Sequence, residues 1–288
     1  MKQYEVHSIQ LASGETYAYR KAGAGEKTVI LIHGNMSSSA HWLKAMEALE
    51  NEYTVYAPDL RGFGDSTYNN EFGSLGELAH DVMLFADALG IGECYLCGWS
   101  TGGGIAMEIA VELPDRVKGL ILMDSVPPTG YPMFKKGPDM QPILTEPMTT
   151  KEEIAADPVQ VIPALNALKS GDRATMKYIW DLAIYHLNKP PDDEYEVYLD
   201  GIMKQRNLVD VDYALLTFNI TDRLPAIKCP VTVLHGEQDM VVPLAWIQAS
   251  LALFGENTEL VTFVNAGHSP ITDVPEEFFA ALKAALEK

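Results

Sequence analysis

The chain has 288 residues, of which 47% are hydrophobic and 21% are charged, so it can bury a substantial core and does not have the composition of a disordered protein. Asp and Glu number 40 against 21 Lys and Arg, which gives a formal net charge of -19. This balance argues against a nucleic-acid-binding protein, which needs a basic face, and it disfavours strongly anionic substrates and anionic membrane surfaces.

The first residues contain no apolar stretch of the kind that a signal peptide requires, and no segment is apolar for long enough to span a membrane. We therefore expect a cytoplasmic protein. The odd number of cysteines, 3, argues against a disulfide-stapled secreted fold. Cys94 and Cys97 form a C-x-x-C inside a predicted strand. Since residues three apart on a strand point to opposite faces, we expect two core thiols and not a metal or redox pair.

Strands and helices alternate along the first part of the chain. Residues 4–21 alternate in polarity and turn at Ser13 and Gly14, which predicts a β-hairpin. Short apolar runs then predict buried strands at 28–32, 53–57, 93–97 and 117–123, and helices are predicted at 40–50, 75–89 and 103–113. This order predicts an α/β fold with a mostly parallel sheet and right-handed crossovers.

The alternation stops at Asp124 and resumes after Pro225. Recurring prolines between 127 and 147 predict irregular structure. Further on, a capping-box pattern at 150–153 is followed by predicted helices at 172–187, 192–207 and 210–219. Beyond Pro225, strands are predicted at 231–235 and 259–264 and helices at 243–254 and 275–286. We therefore predict a core of residues 1–125 and 226–288 with a helical cap inserted at 126–225, because this insertion is too long for a loop.

The clearest motif is the G-x-S-x-G of residues 98–102, which lies between a predicted strand and a predicted helix. In that context the pattern is typical of a nucleophile elbow, in which a sharp turn strains the serine backbone and leaves room only for small neighbours. The start of the helix also adds free N–H groups that suit developing negative charge. A chance match in a loop is the alternative, which the flanking elements disfavour. Ser100 is the predicted nucleophile.

A serine nucleophile needs a base and an acid that orients it. Of the 7 histidines, His268 follows the last predicted strand, at the edge where the sites of parallel sheets gather. His186, in the predicted cap, is a weaker candidate that could line the pocket. Asp239 and Asp124 both follow strands and compete for the role of the acid. We prefer Asp239, because the order Ser100, Asp239, His268 along the chain is that of the α/β-hydrolase triad.

An oxyanion hole needs two backbone donors. The N–H of Thr101, directly after the nucleophile, is the first candidate. The loop of residues 33–36, after the first buried strand, is expected to give the second. We choose the N–H of Asn35, with Met36 as the alternative.

Taken together, these motifs resemble the α/β-hydrolase superfamily with a helical cap. The segments that carry the resemblance occur in family order and lie outside the cap, at residues 33–34, 59–66, 98–103, 236–239 and 267–268. Haloalkane dehalogenases and epoxide hydrolases resemble this pattern but have an aspartate nucleophile, so Ser100 argues against both. The run at 99–104 is similar to that of perhydrolase-like esterases. Residues 130–136 and 204–210 resemble bacterial intracellular polyhydroxybutyrate depolymerases.

The resemblance implies a serine hydrolase that cleaves a small-molecule carboxylic ester through an acyl-enzyme. We expect an apolar pocket under the cap, with Met36, Trp99 and His186 as candidate lining residues, and hydroxyalkanoate esters or oligomers as one candidate class of substrate. Hydrolysis of a carbon–carbon bond or an amide by the same triad is an alternative, as is a non-catalytic receptor on this fold. No metal cluster, dinucleotide fingerprint or phosphate loop appears in the sequence, so no cofactor or metal is expected. The sequence does not predict the oligomeric state.

Overall fold

A computed structural model describes residues 1–288, and its centre is an eight-stranded sheet. Its strands in chain order are β1 Val6–Gln10, β2 Thr16–Ala22, β3 Lys27–Ile32, β4 Tyr53–Pro58, β5 Cys94–Trp99, β6 Val117–Met123, β9 Val231–Gly236 and β10 Thr258–Phe263. They are ordered β1-β2-β4-β3-β5-β6-β9-β10 across the sheet. Strand β2 pairs antiparallel with β1 and β4, and the other pairs are parallel, which confirms the predicted α/β-hydrolase fold class.

Helices cover both faces of this sheet. The helices of the whole chain are α1 Leu43–Leu49, α2 Leu75–Ala88, α3 Thr101–Glu112, α4 Lys151–Ala155, α5 Val161–Ser170, α6 Arg173–Ala183, α7 Asp192–Ile202, α8 Leu208–Thr217, α9 Leu244–Ser250, α10 Pro270–Asp273 and α11 Pro275–Leu286. Side chains of the central strands alternate between two hydrophobic clusters, one on each face. Cys94 belongs to one cluster and Cys97 to the other, and both are buried free thiols, as predicted. The third cysteine, Cys229, is also a buried free thiol.

The segment between β6 and β9 contains helices α4 to α8 and a separate antiparallel ladder, β7 Phe134–Lys136 with β8 Pro142–Pro147. The sequence predicted irregular structure across these prolines, and it was wrong about this ladder. Proline cannot donate to a sheet, but it is tolerated at the ends of an exposed edge strand such as β8. Helix α5 was also missed. The division of the chain into a core and a cap stays a prediction.

The parallel strands bring distant parts of the chain to one edge of the sheet. The loops after β3, β5, β6, β9 and β10 all leave from the carboxyl ends of their strands. This is the edge at which open α/β sheets hold their ligands. Elsewhere in the protein, no helix combines the length and the apolar character that crossing a bilayer would need.

Candidate active site

Ser100 lies in the sharp turn between β5 and α3. Its backbone has φ 55° and ψ -119°, a conformation that costs a non-glycine residue about 1–3 kcal/mol. Hydrogen bonds on both sides hold the strained residue in place. Its N–H donates to the Met123 carbonyl (2.9 Å), and its carbonyl accepts from the N–H groups of Gly103 (3.0 Å) and Val126 (3.1 Å). The strain and its support are the geometry expected of a nucleophile elbow.

Glycines surround this turn because the backbones approach too closely for a side chain. A Cβ on Gly98 would lie 2.2 Å from the Gly102 carbonyl oxygen, and one on Gly102 would lie 2.2 Å from that of Ile32. On the opposite side, a Cβ on Gly34 would lie 3.0 Å from the Cβ of Ser100. The loop after β3 therefore passes directly beside the serine.

Replacing Gly102 by alanine should destabilise the fold by about 3 kcal/mol, because the new Cβ would collide with backbone atoms of β3 that cannot move aside cheaply. Urea denaturation followed by circular dichroism would measure the loss. Gly92→Ala is the matched control, since a Cβ there meets nothing within 4 Å. Equal stability of the two variants would contradict this account of the turn.

His268 and Asp239 are in direct contact. The imidazole Nδ1 lies 2.7 Å from Oδ2 of Asp239, and both side chains are buried. The other carboxylate oxygen, Oδ1, accepts from the N–H groups of Val241 (2.7 Å) and Val242 (2.9 Å). Burial alone would raise the pKa of Asp239, but the charge and hydrogen bond of His268 outweigh it and hold this pKa below its usual range. Asp239 is therefore an ionised carboxylate bound to the imidazole.

Asp124, the competing acid, does not touch His268. Its Oδ1 accepts from the Gly236 N–H (2.9 Å), and its buried Oδ2 has no partner. Burial and then repulsion from Asp239 raise the pKa of Asp124 well above its usual range, which favours the protonated form of this carboxyl. The pKa values of the two acids are thus shifted in opposite directions, and the acid with the lowered pKa faces the imidazole.

His235 lies between these two acids. Its Nε2 is 2.9 Å from the Val242 carbonyl oxygen, which can only accept, so Nε2 carries the proton and Nδ1 has a free lone pair. That Nδ1 is buried without a partner, 3.5 Å from Oδ1 of Asp124. One ligand atom from each of Asp124, His235 and Asp239 lies within 4.8 Å of the others, so the three could hold a metal ion. An ion there would have to displace hydrogen bonds, since both oxygens of Asp239 are already engaged.

Asp124→Asn should stabilise the protein more at high pH than at low pH. In the unfolded chain Asp124 ionises at its ordinary pKa, whereas in the folded protein it keeps its proton to a higher pH. The free energy of unfolding of the wild type therefore falls as pH rises from the unfolded-state pKa to the folded-state pKa. Asparagine does not titrate, and its carbonyl oxygen can keep the hydrogen bond from the Gly236 N–H. Thermal denaturation from about pH 4 to about pH 8 would show the Tm advantage of the variant growing with pH. A difference that is constant or shrinks with pH would contradict a neutral Asp124.

The candidate oxyanion donors belong to the residue after Ser100 and to the loop beside it. Thr101 is the first residue of α3, where a backbone N–H has no partner within the helix. Asn35 follows Gly34 in the loop beside the serine, and its N–H donates no hydrogen bond within the protein. The N–H of Met36, the alternative, donates instead to the side-chain Oδ1 of Asn35 (2.8 Å). The N–H of Met36 is therefore already engaged, whereas that of Asn35 is free.

Trp99 is buried and holds the loop that carries His268. Its indole N–H donates to the His268 carbonyl (2.8 Å), and its ring packs against Trp180 of α6 at 6.1 Å between centroids. The sequence left open whether Trp99 shapes a pocket or packs beneath the helix, and the hydrogen bond indicates a structural role at His268. His186 lies against the same loop. A Cβ added to Gly267 would lie 2.5 Å from Cε1 of the His186 ring.

Sequence reasoning missed two groups of residues near this site. The ring of His41 stacks with Trp180 at 4.9 Å and Tyr198 at 4.5 Å, and burial lowers the pKa of His41 to about 3, so it is neutral. Asp212 of α8 and Gln205 both bind the side chain of Asn35. These residues have no motif around them, and only the three-dimensional structure brings them to the site.

Comparisons with known proteins agree on the family. Residues 29–282 match the model of the Alpha/beta hydrolase family. A pimeloyl-[acyl-carrier protein] methyl ester esterase from Nitrosomonas europaea is 26% identical, over 89% of this chain and 94% of the relative. A 2-hydroxy-6-oxononadienedioate/2-hydroxy-6-oxononatrienedioate hydrolase from Paraburkholderia phymatum is 27% identical, over 87% and 83%. Among solved structures, the enol-lactonase from Burkholderia xenovorans superposes with a TM-score of 0.77 at 18% identity, over 98% of this chain and 100% of that one.

Proposed function

We propose that this chain, which belongs to the alpha/beta hydrolase family, is a serine hydrolase that cleaves carboxylic esters through a Ser100–His268–Asp239 triad. One observation carries the proposal: the 2.7 Å contact between His268 Nδ1 and Asp239, at the same edge of the sheet as the strained Ser100. A carboxylate on Nδ1 fixes the imidazole tautomer that leaves Nε2 free to accept a proton. The esterase relative from Nitrosomonas europaea agrees with this reaction.

In the proposed mechanism, Ser100 Oγ attacks the ester carbonyl while its proton passes to Nε2 of His268. The new C–O bond moves an electron pair onto the carbonyl oxygen, which the N–H groups of Asn35 and Thr101 stabilise. The intermediate then expels the alcohol, which takes the proton from His268. Water, activated by the same histidine, hydrolyses the acyl-enzyme and restores Ser100. Asp239 remains ionised throughout and stabilises the imidazolium.

Residues 126–225 are proposed to cap this site and to select the substrate. Their helices carry aromatic side chains, including Trp180 and Tyr198, that pack beside Trp99 and His41 close to His268. Apolar walls of this kind suit an uncharged acyl or alcohol group. The net charge of -19 disfavours anionic substrates, so neutral esters, hydroxyalkanoate esters among them, are the preferred class.

The same three side chains could hydrolyse an amide or a carbon–carbon bond. One of the relatives, the hydrolase from Paraburkholderia phymatum, is named for a dicarboxylate substrate. Product analysis on candidate substrates of each class would separate these reactions from ester cleavage. The charge of this chain makes a dicarboxylate the weaker candidate. A receptor that binds a ligand without turnover is the remaining alternative.

Hydrolysis of p-nitrophenyl esters from acetate to long acyl chains would test the proposal. We expect turnover with an optimum at one acyl length, which measures the depth of the acyl pocket. Covalent labelling with a fluorophosphonate, located by mass spectrometry, should modify Ser100. Absence of both turnover and labelling would contradict a serine esterase and favour a receptor.

A further inference from the structure

The side chain of Asn35 is fixed at both ends. Its Oδ1 accepts from the N–H of Met36 and from Nε2 of Gln205, each at 2.8 Å, and its Nδ2 donates to Oδ1 of Asp212 at 2.9 Å. Met36 has a left-handed backbone with φ 49°, which the bond to Asn35 helps to hold. Because the side chain cannot rotate, the backbone of Asn35 is held in one conformation. The proposed oxyanion donor is therefore oriented by its own side chain.

Two of these three contacts come from the inserted segment. Gln205 is buried, and its Nε2 also donates to Oδ1 of Asn207 (2.9 Å), whose own amide donates to the Arg61 carbonyl (2.6 Å). This chain of amides anchors Gln205 to the loop after β4. Asp212 lies on α8. The insertion thus reaches down to the loop beside the nucleophile through two polar side chains.

Asp212 has no stabilising partner other than Asn35. No lysine or arginine pairs with it, and burial together with repulsion from Asp157 raises the pKa of Asp212 to about 7. The hydrogen bond from Asn35 acts in the opposite direction and favours the ionised form. The Asp212 side chain is partly buried, and no cation offsets the cost of its charge. Its one bond with the protein is to the residue that carries the proposed oxyanion donor.

We propose that Asp212 is a positioning residue, through which the inserted helices hold Asn35 in the orientation that its N–H needs to stabilise the oxyanion. This inference rests on the proposed function. Asp212 makes no hydrogen bond to Ser100, His268 or Asp239, and in this proposal it acts only through Asn35. Oxyanion stabilisation depends on donors held at short range in fixed directions, so a small rotation of Asn35 is expected to slow the chemical step and to leave substrate binding almost unchanged.

The test compares Asp212→Leu, which removes the acceptor at similar volume, with Asp212→Asn, which keeps a carbonyl oxygen for Asn35. Steady-state kinetics on the best p-nitrophenyl ester should show a loss of kcat of about tenfold to hundredfold in D212L with little change in KM. D212N should recover most of that loss. Asp210→Asn is the matched control on α8, because Asp210 binds Lys151 and Tyr68 and not Asn35. It should keep the wild-type kcat.

A double-mutant cycle with Asn35→Ala separates positioning from a general effect on the fold. If Asp212 acts through the Asn35 side chain, D212L should lower kcat no further in the N35A background. Additive losses, or a kcat of D212L equal to that of wild type, would overturn the inference. If D212L does not fold by circular dichroism, Asp212→Ala takes its place with the same expected loss. Wild-type protein that neither turns over esters nor labels at Ser100 would instead overturn the proposed function.

Discussion

Ser100→Ala is expected to lower kcat for the best p-nitrophenyl ester by about 10⁶-fold, the loss typical of a serine hydrolase that has lost its nucleophile. Without Oγ no acyl-enzyme can form, and the remaining rate comes from binding and the oxyanion donors. Alanine carries the same Cβ in the turn with φ 55°, so the fold should be unaffected. Initial rates and fluorophosphonate labelling would measure the change.

Ser125→Ala provides the matched control for this experiment. Ser125 is also buried near the turn, but its hydroxyl donates only to the neighbouring Val126 carbonyl (2.8 Å). It should keep wild-type activity and labelling. Hydrolysis by S100A at the wild-type rate would contradict the proposed mechanism, because the nucleophile would then lie elsewhere.

Asp239→Asn should lower kcat by about 10⁴-fold, because the asparagine amide cannot stabilise the imidazolium and favours the wrong tautomer of His268. KM should change little, since the acid does not contact substrate in the proposed mechanism. Both oxygens of Asp239 accept hydrogen bonds, so thermal denaturation must confirm that the variant is folded before its rates are compared.

Asp124→Asn is the natural comparison. The raised pKa of Asp124 favours its protonated form, which resembles asparagine in charge and shape, and this side chain has no bond to His268, so the variant should lose little activity. A large loss in D124N together with an active D239N would reverse the assignment of the acid. The pair therefore tests the preference for Asp239 over Asp124 that the order of the residues along the chain suggested.

Much of this fold could be predicted from the sequence because its elements have local signatures. Buried parallel strands are short apolar runs, and the strand at residues 117–123 was predicted with the same bounds as β6. The G-x-S-x-G was recognisable because a strained turn between a strand and a helix tolerates only small residues. His268 and Asp239 could be proposed because both follow strands at the same edge of the sheet.

The remainder depends on contacts between residues far apart in sequence. Nothing local in β7 and β8 indicates a ladder, because three-residue and proline-bounded strands have no clear periodicity. The opposite pKa shifts of Asp124 and Asp239 could not be derived from residue type, since burial and a neighbouring charge set them. Asp212 and Gln205 were missed for the same reason: each is an ordinary polar residue until the fold places it against Asn35.

The pairing of β6 with β9 has a consequence for how the chain is made. Leu120 pairs with Val231, so the sheet cannot be completed until the ribosome has synthesised the whole insertion. The entropy of closing so long a loop grows only slowly with its length, but such non-local pairing is slow to form. In the meantime β6 is an open, apolar edge on which another nascent chain can add a strand. We therefore expect slower translation or lower expression temperature to change the yield of folded protein more than its final stability.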